Sequence, residues 1–283
     1  MPDQTETLKK VMASKKLEIL LVASGKGGVG KSVIASNLAV SLAANQKNVL
    51  LFDADAGFAN ADILLGVTTR NTLRDYLVSQ KELKDIIYPT RYGVWLLSSG
   101  TDVQDLIAFN KEPKQRFLED FLDLAVDMNY AIVDTGAGYT DELISFYSAA
   151  DKLFLVTTPE PTALMNVYTL AKVLGNKGIY PELYLIMNQS RNASKDTKVL
   201  ERFSYVLEKF AGWEVREKFI IRNDPSVSNS VIKQMPLVEI HKHSQPSQTI
   251  KRITEQILRG TDETGETDNV GFISKIKKLF GIK

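Results

Sequence analysis

The run Gly25-Lys26-Gly27-Gly28-Val29-Gly30-Lys31-Ser32 limits what this chain can fold into more than any other stretch. It fits G-x-x-x-x-G-K-[ST], a loop that surrounds phosphate groups with backbone N–H donors. Such a loop works between a strand and a helix, because the helix N-terminus supplies free donors and a partial positive charge. The flanks meet that demand. Leu17 to Ala23 (LEILLVA) is an apolar run of strand length, and Val33 to Ala44 (VIASNLAVSLAA) reads as a helix with an Ala-rich face. Within the loop, Gly25, Gly27, Gly28 and Gly30 let the backbone fold tightly, and Val29 and Val33 complete the contacting run. Lys31 reaches the β- and γ-phosphates of a nucleotide, and the Ser32 hydroxyl ligates Mg²⁺.

The rest of the chain supplies the matching scaffold. Asn48 to Asp53, Val94 to Leu97, Tyr130 to Asp134, Lys152 to Thr158 and Glu182 to Asn188 are short, apolar and strand-like. Amphipathic segments such as Lys114 to Asp127 and Thr162 to Leu174 lie between several of them. This alternation predicts an α/β fold: a doubly wound, mostly parallel sheet with helices on both faces. One domain over 17–259 holds all of it, preceded by a polar arm at 1–16. With 44% hydrophobic residues in 283, that domain has ample core. Cysteine is absent, which removes disulfides, thiolate metal sites and iron–sulfur clusters. A net charge of +1 offers no global field for nucleic acid. No apolar run reaches membrane-spanning length and no signal-peptide core precedes the first strand, so the cytoplasm is the expected address.

After Arg259 the composition changes. Residues 260–270 (GTDETGETDNV) form an acidic tether with almost nothing to bury, and 271–283 (GFISKIKKLFGIK) is basic and apolar at helical spacing. Phe272, Ile273, Ile276, Leu279 and Phe280 fall on one helical face, with Lys275, Lys277 and Lys278 on the other. The pattern predicts a weak, reversible anchor on anionic lipid, to which the three lysines contribute roughly 3 kcal/mol.

Three carboxylates accompany the loop. Asp53 ends the second strand and Asp55 follows two residues later, so in an extended chain both point into the ligand crevice of an open sheet. Asp134 closes a third apolar strand ahead of Thr135-Gly136-Ala137-Gly138. Lysines at both ends of Lys-Gly-Gly-Val-Gly-Lys-Ser, the D-x-D segment and the Asp134 strand together resemble the MinD/ParA family of dimerising ATPases. The resemblance implies that Lys26 crosses a dimer interface to the partner's nucleotide. It also implies that Asp55 activates the attacking water, that Asp53 supports the metal shell and that Asp134 holds a Mg²⁺-bound water. Gly136 stands where that family usually has proline. Asn188, in Asn-Gln-Ser-Arg, matches the family's adenine-contacting asparagine and favours ATP over GTP. Ile221-Arg222-Asn223-Asp224 matches the segment on the other side of the base, with Arg222 in place of proline. His241 and His243 read as surface histidines.

Two shorter segments narrow the resemblance, the first to MinD and the flagellar FlhG/YlxH/FleN group together and the second to the flagellar group. One is Phe58 to Gly66 (FANADILLG), and the other is Asp3-Gln4-Thr5-Glu6-Thr7-Leu8-Lys9, with Thr5 where that group has alanine. The resemblance implies that Asp3, Gln4, Leu8 and Lys9 engage the GTPase FlhF. It implies an ATP-bound homodimer on the inner face of the cell membrane, with a basal-body (C-ring) or transcriptional partner, setting flagellar number or placement. The alternatives are MinD-like placement of the division site, ParA-like DNA partition and a scaffold that binds ATP without turnover. The net charge of only +1 speaks against the second of these, and retention of Lys26 and Asp55 against the last.

Overall fold

The computed structural model describes residues 17–55, 60–79, 81–100, 111–140 and 143–260. The expectations for the arm, for Phe58 and Ala59 and for 261–283 lie outside the described residues. Strands and helices alternate. β1 (Glu18–Ala23) leads into α1 (Lys31–Ala44), and β2 (Val49–Ala54) into α2 (Ala61–Leu65) and α3 (Leu73–Val78). β3 (Ile87–Pro89), β4 (Val94–Ser98), α4 (Lys111–Ala125), β5 (Tyr130–Thr135) and α5 (Ile144–Ala149) follow. Then come β6 (Lys152–Thr157), α6 (Pro161–Asn176), β7 (Glu182–Ser190), α7 (Ala193–Ala211) and β8 (Val215–Arg222). The described residues end with α8 (Pro225–Ile232), α9 (Leu237–Ile240) and α10 (Gln245–Gly260).

The strands form one sheet in the order β3-β4-β2-β5-β1-β6-β7-β8, parallel except for β3 against β4. Successive residues of a strand point to opposite faces, so each strand feeds two cores. Ile19, Leu21 and Ala23 of β1 join Phe117, Phe146, Leu170 and Leu200 from α4 to α7 on one face. Leu20 and Val22 join Ile34, Leu38, Ile250 and Ile253 from α1 and α10 on the other. Parallel strands covered on both faces need apolar residues at every position, hence the near-continuous runs read from the sequence. β1 lies in the middle, paired with β5 on one side and β6 on the other. The order reverses around it, and in an open sheet of this kind the crevice beyond the strands' C-terminal ends at that reversal binds the ligand. The Gly25–Ser32 loop leaves β1 there.

Two strands are absent from the sequence reading for a physical reason. β8 (VREKFIIR) sits at the sheet edge, with Arg216, Lys218 and Arg222 exposed and only Phe219 and Ile221 buried. A one-faced edge strand alternates instead of running apolar. β3 spans three residues, too few for periodicity to show.

The core depends on Phe154, which is fully buried in β6 and stacked on Tyr184 of β7 at 4.9 Å between ring centroids. Phe154→Ala should lower the free energy of urea unfolding by about 3–5 kcal/mol with the m-value unchanged. A loss below about 1 kcal/mol would contradict this packing.

Candidate active site

Beyond β1 the chain enters the loop, where Gly28 (φ +73°) and Gly30 (φ +96°) adopt left-handed backbone that other residues rarely take. Gly30 is also the residue before α1, and no side chain caps that helix. The first-turn N–H groups are therefore left to a ligand. Gly25 is small for another reason: a Cβ there would lie 2.5 Å from the Asn166 carbonyl carbon, because the backbone of α6 rests on it. Lys31 is buried at the head of α1, whereas Lys26 is exposed. The Lys26 ammonium pairs at 2.7 Å with Glu160, the residue before α6. That pairing is what holds the Glu160 carboxyl below its usual range. The first lysine of the motif thus has a partner within its own chain, which the sequence reading did not contain.

The two strand-end carboxylates sit side by side, since β2 and β5 pair in parallel with Asp53 opposite Asp134. Asp53 accepts hydrogen bonds from the backbone N–H groups of Asp55 (3.2 Å), Asn60 (3.0 Å) and Ala61 (3.0 Å). It ties Asp55, Asn60 and Ala61 to the end of β2. Burial pushes its carboxyl up to about 6, opposed by the Ala61 and Asp55 amides. Asp134 has no solvent exposure, and neither carboxylate oxygen has a hydrogen-bond partner. Burial pushes it up to about 7. The Ser32 hydroxyl, close by but outside hydrogen-bond geometry, and the Lys31 ammonium oppose the rise, while Asp53 and Asp55 add to it. Asp55 faces the neighbouring loop: a Cβ on Gly136 would lie 3.7 Å from its Oδ1, an ordinary contact. The space therefore accepts a larger residue at 136. The Gly138 N–H donates to the Ser24 carbonyl at 2.8 Å, and Thr135 Oγ1 to that of Val22 at 3.3 Å. The loop after β5 is thereby joined to the start of the glycine loop.

Beside the glycine loop lies a cavity of about 320 Å³, lined by Val33, Asn37, Asn188, Arg222, Asp224 and Ile250 among others. Arg222 is exposed at its rim, and its backbone N–H donates to Gln245 Oε1 at 2.8 Å. The Asn188 amide reaches the loop, donating to the Val29 carbonyl at 2.8 Å. Gln189, which no motif singles out, donates to the Gly28 carbonyl at 3.0 Å. His241 contacts Asn229 Oδ1 at 2.9 Å and His243 is exposed.

The residues present fit a nucleotide with a divalent cation. The glycine hollow is open at Gly27 and Gly28, where an added Cβ would meet nothing. The orphaned, fully buried Asp134 oxygens want a cation or its water. Among the described residues no group of three His, Asp or Glu side chains could cage a metal alone. That suits an ion such as Mg²⁺, which relies on one or two carboxylates plus substrate phosphates.

Sheet order, loop and paired carboxylates define a P-loop nucleoside triphosphatase. Residues 15–258 match the family described as "ParA: NUBPL iron-transfer P-loop NTPase". The chain belongs to the ParA family of P-loop NTPases, the MinD/ParA-type ATPases. Without cysteine it has no thiolate with which to hold an iron–sulfur cluster, so the iron-transfer part of that description does not carry over. It is 28% identical to the antiactivator FleN of Pseudomonas aeruginosa over 88% of this chain and 89% of that one. It is 32% identical to the flagellum site-determining protein YlxH of Helicobacter pylori, over 93% and 89% respectively. Among solved structures it resembles the septum site-determining protein MinD of Pyrococcus horikoshii, complexed with Mg-ADP. There the TM-score is 0.68 at 25% identity, over 88% of this chain and 100% of that one.

Two measurements follow from the geometry. Asp53 and Asp134 have folded values above the ordinary 3.8, so the native chain holds more protons than the unfolded one between about pH 4 and 7. Stability of the nucleotide-free chain should therefore fall as pH rises through that window. Asp134→Asn should stabilise it by on the order of 2–4 kcal/mol at pH 8 and change nothing at pH 4. Equal unfolding curves at pH 8 would contradict the burial described. In the loop, Gly30→Ala combines a disfavoured φ with a Cβ 2.3 Å from Asn188 Nδ2 and should abolish nucleotide binding by calorimetry. Gly136→Ala should bind as the parent does.

Proposed function

We propose that this chain is a Mg²⁺-dependent ATPase that dimerises around ATP, attaches peripherally to the inner membrane face and regulates flagellar number or placement. The chemistry is carried by one observation, the convergence of the glycine loop, Asp55 and the in-register pair Asp53 and Asp134 at the central strand's end. The process is supported by the FleN and YlxH relatives, each matched over almost nine tenths of its length. MinD-like placement of the division site is the second reading. It is favoured by the match to MinD of Bacillus subtilis at 26% identity over 99% of that chain.

In this reading Gly25 to Val33 hold the phosphates, Lys31 neutralises their charge, and Asn188 and Arg222 border the base. Ser32 and Asp134 hold the magnesium ion and its water, with Asp53 behind them. When bound, the ion offsets charge on the β- and γ-phosphates. Asp53 spends its carboxylate on the 55, 60 and 61 amides and so supports Asp55 rather than the ion directly. Asp55 orients the attacking water. Lys26 leaves Glu160 for the partner's nucleotide when two copies meet. Dimerisation presents two C-terminal helices to one surface, and avidity makes attachment depend on ATP. The arm residues Asp3, Gln4, Leu8 and Lys9 engage FlhF, and a C-ring or transcriptional partner reads the ATP-bound state.

Asp55→Ala should bind ATP within a few-fold of the parent yet lose roughly a hundredfold or more in phosphate release. Parental turnover would remove Asp55 from the chemistry. ATP should increase pelleting with anionic liposomes, and loss of 271–283 should abolish it; equal pelleting with ADP would remove the switch. Deleting the gene should change flagellar number or position in cells counted by electron microscopy. A normal flagellar count with misplaced septa would select the second reading.

A further inference from the structure

β7 is the longest strand among the described residues, and its end is irregular. After a first shift between Leu183 and Tyr184 it pairs with β8 in step from Tyr184 opposite Glu217 to Met187 opposite Ile220, but the next pair is Ser190 opposite Arg222. One extra residue is therefore inserted in β7, and Gln189 lies in that bulge with φ +58°, in the left-handed region. Outside Gly, Asn and Asp, a residue holds that conformation only where its surroundings over-determine it. In a regular strand Asn188 and Gln189 would point to opposite faces. Here both side chains reach the glycine loop and grip consecutive carbonyls, Asn188 Nδ2 on Val29 at 2.8 Å and Gln189 Nε2 on Gly28 at 3.0 Å. Bulges re-aim side chains in this way next to sites of binding.

A peptide unit is planar and trans, so its N–H points away from its C=O. Holding the Gly28 carbonyl outward turns the Val29 N–H inward, and holding the Val29 carbonyl outward turns the Gly30 N–H inward. We propose that Gln189 is a positioning residue for phosphate binding. With Asn188 it forms a two-amide clasp that aims the Val29 and Gly30 N–H groups into the loop before any nucleotide arrives. The clasp also lies close to position 30, where an added Cβ would stand 2.3 Å from Asn188 Nδ2. The inference rests on nucleotide binding by this loop and not on the flagellar assignment.

The full chain is tested with two variants that lack the donor. Gln189→Met keeps the size of the side chain. Gln189→Gly relieves the left-handed backbone. Both should weaken ATP, by calorimetry and as a raised KM, by roughly three- to tenfold, the worth of one ordinary hydrogen bond. In both, kcat at saturating ATP should stay within about twofold, because the clasp acts on binding rather than on the reacting water. The melting temperature of the nucleotide-free chain should not change for Gln189→Met. Parental ATP affinity in Gln189→Met overturns the clasp, and so does a lower melting temperature with affinity intact. Parental affinity in Gln189→Gly alone would assign the effect to backbone strain and overturn it too. Failure of the parent chain to bind ATP would overturn the nucleotide site itself, and the clasp with it.

Discussion

The whole site hangs on the burial of β1 between β5 and β6. Every residue of β1 from Ile19 to Ala23 is fully buried, so the strand can shift neither in register nor in tilt without opening two cores at once. That fixes where the glycine loop begins. The parallel register of β5 carries Asp134 to the same level, and β2 brings Asp53 beside it. Loops that would be mobile alone thus start from ends held by close packing. The chemistry uses loop residues, but their accuracy belongs to the sheet.

The same arrangement places two carboxyls where water cannot reach them. A folded chain retains such groups only when something else compensates for the lost hydration. Asp53 finds three backbone amides, whereas Asp134 finds no hydrogen bond and is left for the cation of the proposed function. The contrast separates a carboxylate that builds the site from one reserved for its ligand.

Much of this was legible in the sequence because burial and function both left local marks. The apolar runs ending at Asp53 and Asp134 announced strands, and an aspartate at a strand end announced the crevice. The glycine loop identified itself by spacing. β8 was not legible, since an edge strand with charges on one face imitates an amphipathic surface segment. Nor was Gln189, whose part depends on a one-residue bulge that pattern cannot show. The Glu160 partner of Lys26 lies 134 residues away and is joined to it only by the way α6 docks. Contacts set by tertiary docking leave no period in the chain.

That docking has a mechanical side. Gly25 meets α6 as bare backbone, with the position of its missing Cβ only 2.5–2.7 Å from atoms of Asn166 and Val167. Side chains between two elements act as cushions, because rotamers turn and take up small displacements. Here there is no cushion. Glu160, which holds Lys26, stands just before the same helix, and Met165 is exposed beside the contact. A shift of α6 by a few tenths of an ångström therefore cannot be taken up by a turning rotamer at this contact, and Gly25 must follow the helix.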